Sequence, residues 1–253
     1  MRIALCGLGK AGKQFVEHTM QTKEFLLCAV LCRDESSTAG KTVKEVTNLN
    51  TSDSLIVQRI SEFKNNEKID VIIDFSNKST TFELLKVCCE FGIKLVICPT
   101  NFSDEEILFI KETTKKAKIG VVFAPTLTVG INMLIDFVKK LTVLFNDFDF
   151  EIIERHPKNK AKPTRTAEII ANTISKKSVN ISSIRLDGYV GVHEVIATNG
   201  FEKITISHES FSRVAFANGA LVAANYINDK IGFYSINQVF HEIITDSYIS
   251  EKN

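Results

Sequence analysis

Residues 1–12 read MRIALCGLGKAG, and this stretch decides the fold class. Residues 2–6 form a short apolar run that reads as a strand. Gly7, Gly9 and Gly12 follow at G-x-G-x-x-G spacing and lead into a helical segment. In such a strand–turn–helix the first glycine permits the tight turn. The second lets a pyrophosphate approach the backbone, and the third lets helix and strand pack closely. The helix N-terminus adds N–H donors and a positive dipole end. Gly7, Leu8, Gly9, Lys10, Ala11 and Gly12 are therefore candidate cofactor contacts. The plainer alternative is an ordinary βα turn that tolerates glycine.

Dinucleotide sites of this kind place an acidic residue about 20 positions on, at the end of the second strand, where it holds the ribose hydroxyl. Here that strand, residues 26–31, runs into Cys32-Arg33-Asp34. Cys32 occupies the acidic slot. Arg33 can pair with a 2′-phosphate, which favours NADPH over NADH. The alternative leaves Arg33 as a solvated charge and gives the ribose to Asp34.

Further strands are expected at 69–75, 94–98 and 120–123, with helices at 80–91 and 104–116. Ser103-Asp104-Glu105-Glu106 opens the second of these helices. Alternation of apolar strands with helices implies a Rossmann-like parallel sheet covered on both faces, an α/β architecture. After about residue 125 the grammar changes. A long helix is expected at 129–144 with Thr128 as N-cap, then a strand at 150–154 and a helix at 167–175. Three strand-like runs at 181–186, 192–198 and 203–208 lie close together and read as antiparallel. Helices at 213–227 and 235–244 close the chain. The expected organisation is a dinucleotide-binding domain from 1–126 with 214–253. An α+β substrate and oligomerisation domain with a mixed or antiparallel sheet spans 127–213.

Composition narrows the function classes. The chain has 253 residues, with 44% hydrophobic and 24% charged, which suits a globular protein with a sizeable core. Lys+Arg 31 against Asp+Glu 30 gives a net charge of +1, so no global field attracts nucleic acid or an anionic membrane. The longest uncharged stretch, 119–135, holds Pro125, Asn132, two glycines and two threonines, which argues against a membrane span. The apolar run 3–8 is too short for a signal peptide. Six cysteines form no CxxC pair and read as free thiols of a cytoplasmic protein. Five histidines show no HxH or HExxH spacing, so no metal site is expected.

Residues 151–167 read EIIERHPKNKAKPTRTA. A strand runs out into His156, and Arg155, Lys158, Lys160, Lys162 and Arg165 gather around it in sequence. A helix start at Thr164 to Thr166 adds backbone donors for an anion. This suits a small dicarboxylate. His156 can supply a proton to complete a hydride transfer, because an unperturbed histidine titrates at about 6.5. Lys160 can orient a carboxylate or share the proton work. The bland alternative is a solvated lysine-rich loop with a surface histidine.

Several strings together identify a resemblance. They are GLGKAGKQ at 7–14, Asp74-Phe75-Ser76, Val129-Gly130-Ile131-Asn132, Glu151 to His156, Ser207-His208 and SRVAFANGA at 212–220. In this order, over nearly the whole length, the chain resembles the 4-hydroxy-tetrahydrodipicolinate reductase (dihydrodipicolinate reductase) family of lysine and diaminopimelate biosynthesis. The resemblance implies a Rossmann-like nucleotide domain and a central substrate and tetramerisation domain. It implies NAD(P)H-dependent reduction of a cyclic unsaturated dicarboxylate. It makes His156 the general acid and Lys160 the catalytic lysine. The substrate-contact positions become Pro157, Arg165 and Thr166. The nicotinamide-end contacts become Cys98, Pro99, Thr100, Ala124, Pro125, Thr126 and Leu127. The family's second histidine is here Pro157, its Gly-Thr pair is Arg165-Thr166, and its Gly-Thr-Thr-Gly is residues 98–101, CPTN. The resemblance also implies a cytoplasmic homotetramer. A reductase of another imine or keto acid, and a non-catalytic NADPH-binding protein, are the rival readings.

Overall fold

A computed structural model of the protein describes residues 1–145, 147–174 and 179–250, with side chains through 246. The chain falls into two compact units, Met1–Leu127 with Phe216–Asn253, and Thr128–Ala215.

The first unit begins with β1 (Arg2–Cys6), α1 (Lys10–Thr19), β2 (Leu26–Cys32), the short α2 (Val43–Thr47) and β3 (Val57–Arg59). It continues with β4 (Val71–Asp74), α3 (Lys78–Phe91), β5 (Lys94–Ile97), α4 (Asp104–Ala117) and β6 (Gly120–Phe123). The strands pair in parallel, and the sheet runs β3-β2-β1-β4-β5-β6 with one further strand beyond β6. This is the doubly wound order of dinucleotide-binding sheets, with its switch point between β1 and β4. Burial on both faces explains the unbroken apolar strands: Val71, Ile72 and Ile73 of β4 are fully buried. One face packs Leu84, Leu85 and Cys88 of α3 and Ile110 of α4 against Ile72, Leu95 and Val121. Each such side chain contributes ~1.5–3 kcal/mol by leaving water. The Ser103 hydroxyl and the Glu106 carboxylate form the expected capping box on α4. Sequence patterning missed α2, β3 and the outermost strand.

In the second unit, α5 (Val129–Leu144) precedes β7 (Asp149–His156), α6 (Arg165–Ile174), β8 (Asn180–Arg185), β9 (Gly191–Thr198) and β10 (Lys203–Ser210). The sheet order is β10-β9-β7-β8. β9 is antiparallel to both β10 and β7, whereas β8 runs parallel to β7. The expectation of three antiparallel runs is thus corrected for the first of them. Its partner is β7 across the α6 crossover, and the next strand crosses to the far side of β7. Residues Phe150, Ile152, Val195 and Ile206 face one way and pack on Ile131, Leu134 and Ile135 of α5 and Ile170 of α6. Thr128 stands at the N-cap of α5, but its side chain makes no capping bond; its hydroxyl lies 3.4 Å from Nε2 of His208 instead. α6 begins two residues earlier than expected, and its expected end at residue 175 lies outside the described residues.

The chain ends with α7 (Val214–Ile227), β11 (Gly232–Ser235) and α8 (Ile236–Ser250). β11 pairs in parallel with β6 and completes the seven-stranded sheet. The molecule is therefore an α/β protein with a Rossmann-like sheet and a second unit built on a mixed sheet. Among the described residues no helix is long and apolar enough to cross a membrane.

Candidate functional site

In the first unit the candidate cofactor residues gather at the C-terminal ends of the parallel strands. Gly7 to Gly12 follow β1, Arg33 follows β2, Cys98 to Thr100 follow β5 and Ala124 to Leu127 follow β6. Gly7 has φ +95°, and a Cβ there would meet the Phe75 backbone at 2.8 Å. A Cβ on Gly12 would lie 1.9 Å from the Gly7 carbonyl oxygen. Both positions therefore require glycine to close the turn. Gly9 differs: nothing lies within 4 Å of a Cβ built there. It is the N-cap of α1 and supplies no side-chain cap. An open backbone at a helix N-terminus fits a pyrophosphate, so the residues present fit a dinucleotide.

At the end of β2, Cys32 is buried and Arg33 is exposed. The Asp34 carboxylate accepts from the Ser61 backbone N–H at 3.3 Å, and its carbonyl accepts from Arg59 Nε at 3.1 Å. Asp34 thus already has local partners, while Arg33 extends into solvent. Asp74, at the end of β4, is fully buried. It accepts from the Ser76 hydroxyl at 2.5 Å, the Ser76 N–H at 2.9 Å and the Thr81 hydroxyl at 2.6 Å. Burial nevertheless pushes its carboxyl up from the ordinary value. Its role is to tie β4 to the start of α3. All six cysteines are free thiols, with Cys6, Cys32 and Cys88 buried.

In the second unit, His156 is the last residue of β7 and is 6% exposed. It is not a surface histidine. Strand alternation puts Glu154 and His156 on one face, where Oε2 of Glu154 lies 2.5 Å from Nδ1 of His156. The contact is off the ideal hydrogen-bond line. Neither of these two atoms has another hydrogen-bond partner among the described residues. The other oxygen of Glu154 accepts from Ser183 at 2.5 Å and from Arg185 at 2.6 Å. Burial pushes the Glu154 carboxyl up, but Arg185, Ser183 and His156 together outweigh it and hold the group below its ordinary value. Burial lowers His156, partly countered by Glu154.

His193 of β9 pairs with Glu154 across the sheet, and its ring stands edge-on to His156 with centroids 5.0 Å apart. Burial, reinforced by His156, pushes it down to about 3, so it is neutral. Its Nε2 lies 3.2 Å from the Thr164 hydroxyl. Thr164 in turn accepts from the N–H groups of Ala167 and Glu168 at the start of α6. Side-chain atoms of Glu154, His156 and His193 lie within 4.8 Å of one another, a donor set that also suits a cation. Arg185 pairs with the same carboxylate at 2.6 Å, so part of its charge is already met within the chain.

The basic loop is less uniform than its sequence. Arg155 pairs with Glu194 at 3.4 Å, Lys158 with Asp187 at 2.8 Å and Arg165 with Glu168 at 3.0 Å. Lys160 and Lys162 are exposed and form no ion pair among the described residues. Pro157 is half-buried and accepts the Lys160 N–H at 3.0 Å in a tight turn. Thr166 is half-buried in the first turn of α6. Sequence reasoning named His156, Pro157, Lys160, Arg165 and Thr166 but missed Glu154, Arg185 and His193. The period of two along β7 could have found Glu154. Arg185 and His193 depend on strand pairings that spacing does not reveal.

Comparison with known proteins agrees with this arrangement. Residues 1–127 match the family profile "Dihydrodipicolinate reductase, N-terminus", and residues 130–240 match "Dihydrodipicolinate reductase, C-terminus". The 4-hydroxy-tetrahydrodipicolinate reductase of Buchnera aphidicola subsp. Schizaphis graminum is 32% identical, covering 95% of this chain and 97% of its own. That of Thermosipho africanus is 37% identical over 71% of this chain and 81% of its own. The dipicolinate-bound dihydrodipicolinate reductase from Paenisporosarcina sp. TG-14 shares the fold with a TM-score of 0.80 at 24% identity, covering 94% and 98% of the two chains. The parallel sheet with its glycine turn, the mixed sheet that buries a carboxylate–histidine pair, and these matches lead to one assignment: the chain belongs to the dihydrodipicolinate reductase family of NAD(P)H-dependent oxidoreductases.

Proposed function

We propose that the chain reduces 4-hydroxy-tetrahydrodipicolinate, a cyclic dicarboxylate of lysine and diaminopimelate biosynthesis, with His156 as the proton donor. The observation that carries this reading is the burial of His156 against Glu154 at the end of β7. A solvated loop histidine would have neither property. The dipicolinate bound by the Paenisporosarcina protein is a ring dicarboxylate of the same class.

A bound dihydronicotinamide would supply the hydride. Gly7, Leu8, Gly9, Lys10, Ala11 and Gly12 would hold its pyrophosphate. Cys98, Pro99, Thr100, Ala124, Pro125, Thr126 and Leu127 would line the nicotinamide end. Arg33 supports NADPH as the preferred form. His156 keeps its Nδ1 on Glu154, which leaves Nε2 to carry the transferable proton. Loss of the ring hydroxyl with a neighbouring hydrogen as water leaves a conjugated C=C. The hydride adds to one of its carbons, and the His156 proton passes to the adjacent carbon left electron-rich. Lys160 and Thr166 bind the substrate carboxylates. Arg165 adds a cation at the helix start, and Pro157 fixes the turn between His156 and Lys160. Orientation by these groups lowers the entropic part of the barrier.

The proposal extends to a cytoplasmic homotetramer. The sheet face opposite α5 and α6 carries Ile153, Ile184 and Ile196, and strands β8 and β10 are its edges. Ile184 is 38% exposed in the single chain. Six free thiols suit a reducing compartment.

The test couples a dihydrodipicolinate synthase to the protein and follows absorbance at ~340 nm, where the reduced nicotinamide of the cofactor absorbs. Cofactor oxidation that depends on the synthase supports the reading. Oxidation only with another imine or 2-oxo dicarboxylate, or tight cofactor binding without turnover, would contradict it.

A further inference from the structure

We propose that Arg185 is a positioning residue that sets His156 and Lys160 together, through Glu154 on one side and through the loop backbone on the other. The inference rests on His156 being the proton donor. No spacing in the sequence points to Arg185, and its side chain is 4% exposed.

The guanidinium reaches four acceptors at once. One terminal nitrogen donates to Oε1 of Glu154 at 2.6 Å and also to the Ala161 carbonyl. Nε donates to the Lys160 carbonyl at 2.9 Å, and the second terminal nitrogen donates to the carbonyl of Ile184 at 2.9 Å. A buried arginine is tolerated only when its donors are matched in this way. With Ser183 it occupies one oxygen of Glu154, so the other oxygen is turned to His156. The same side chain pins the carbonyls on either side of the Lys160–Ala161 bond. The loop at that point is otherwise exposed. Its other ties include the Lys160 N–H to the Pro157 carbonyl and the Leu186 N–H to the His156 carbonyl, both at 3.0 Å, and the exposed Lys158–Asp187 ion pair at 2.8 Å. Arg185 therefore fixes where the Lys160 backbone stands relative to the imidazole.

The charged and titratable groups facing His156 are Glu154 on β7, Arg185 on β8, His193 on β9 and Lys160 in the following loop. Glu154 favours the imidazolium, whereas Arg185 and Lys160 oppose it. This gives the two halves of the device opposite signatures. Glu154→Gln removes the attraction, and Arg185→Met removes a repulsion.

The test titrates His156 by nitrogen-15 NMR in the full-length wild type and in Glu154→Gln, Arg185→Met and Arg185→Lys. It is read beside kcat and KM as functions of pH. Glu154→Gln should move the His156 titration, and the falling limb of kcat, ~1 pH unit lower. Arg185→Met should move both upward. Arg185→Lys keeps the charge but cannot bridge the carboxylate and two carbonyls. It should leave the titration near the wild-type value and raise KM for the dicarboxylate ~10-fold. If Arg185→Met does not fold, the other two variants decide. An unmoved His156 in Glu154→Gln together with an unchanged KM in Arg185→Lys overturns the proposal. Failure of the underlying reading is distinguishable: His156→Gln would then keep full activity, whatever Arg185 does.

Discussion

Gly191 presents no side chain to His156: a Cβ built on it would lie 3.0 Å from the ring's Nε2. The nitrogen that is not turned to Glu154 is thus bordered by bare backbone on β9. Gly191→Ala would crowd the atom proposed to deliver the proton, while the strand conformation tolerates alanine. The expected result is a fall in kcat of ~10-fold with the cofactor Kd unchanged, read from steady-state kinetics and cofactor fluorescence titration. Unchanged kcat would mean that Nε2 does not face the reacting carbon.

The glycine turn offers a contrast between two substitutions three residues apart. Gly12→Ala forces a Cβ into the Gly7 carbonyl and should destabilise the first unit by ~1–3 kcal/mol or more. Gly9→Ala meets nothing in the chain itself. It should leave the melting temperature unchanged yet weaken cofactor binding ~10-fold or more, because the added methyl occupies the approach of the pyrophosphate. Thermal melts and fluorescence titration separate the two effects. Equal melting points for both variants would contradict the packing argument.

The proposed preference for NADPH rests on the end of β2. Arg33 is exposed, and Asp34 is held by Ser61 and Arg59. Arg33→Ala should raise KM for NADPH ~10-fold and leave KM for NADH within about twofold, since only the 2′-phosphate loses a partner. A parallel loss with both cofactors would place Arg33 elsewhere in the binding path.

Stability should fall in mild acid. His193 titrates at about 3 in the folded chain. An unfolded histidine titrates at about 6.5, so between these values the unfolded state binds a proton that the folded state does not. The stabilising contribution is complete above about 6.5 and is lost as pH falls toward 3. His156 and His208, also lowered by burial, act in the same sense. The melting temperature should drop between neutral pH and about pH 4.5, and His193→Gln should shrink that drop. An undiminished drop in the variant would assign the acid sensitivity to other groups.

Local signals made the first unit legible. The strand, glycine turn and helix of residues 2–19 are contiguous, and β4, β5 and β6 are buried on both faces, so their apolar runs stand out. β11, with the sequence GFYS, and β3, with VQR, are too short to carry a period. β8 was legible as a strand but not in direction, because its partner is β7 rather than its neighbour in sequence. The site divides the same way. His156 and Lys160 stand out as chemistry-bearing residues beside each other in the chain. The residues that hold them, Glu154, Arg185 and His193, come together only through the β7–β8 and β7–β9 registers. Arg165 is also modified by context: its pairing with Glu168 is an ordinary helical i,i+3 contact.

The most direct measurement is the effect of His156→Gln on turnover of synthase-generated substrate, alongside the dissociation constant for NADPH. Loss of the proton donor should lower kcat ~10²-fold or more and leave cofactor affinity nearly intact. Full turnover in the variant would show that the buried imidazole at the end of β7 is not the acid.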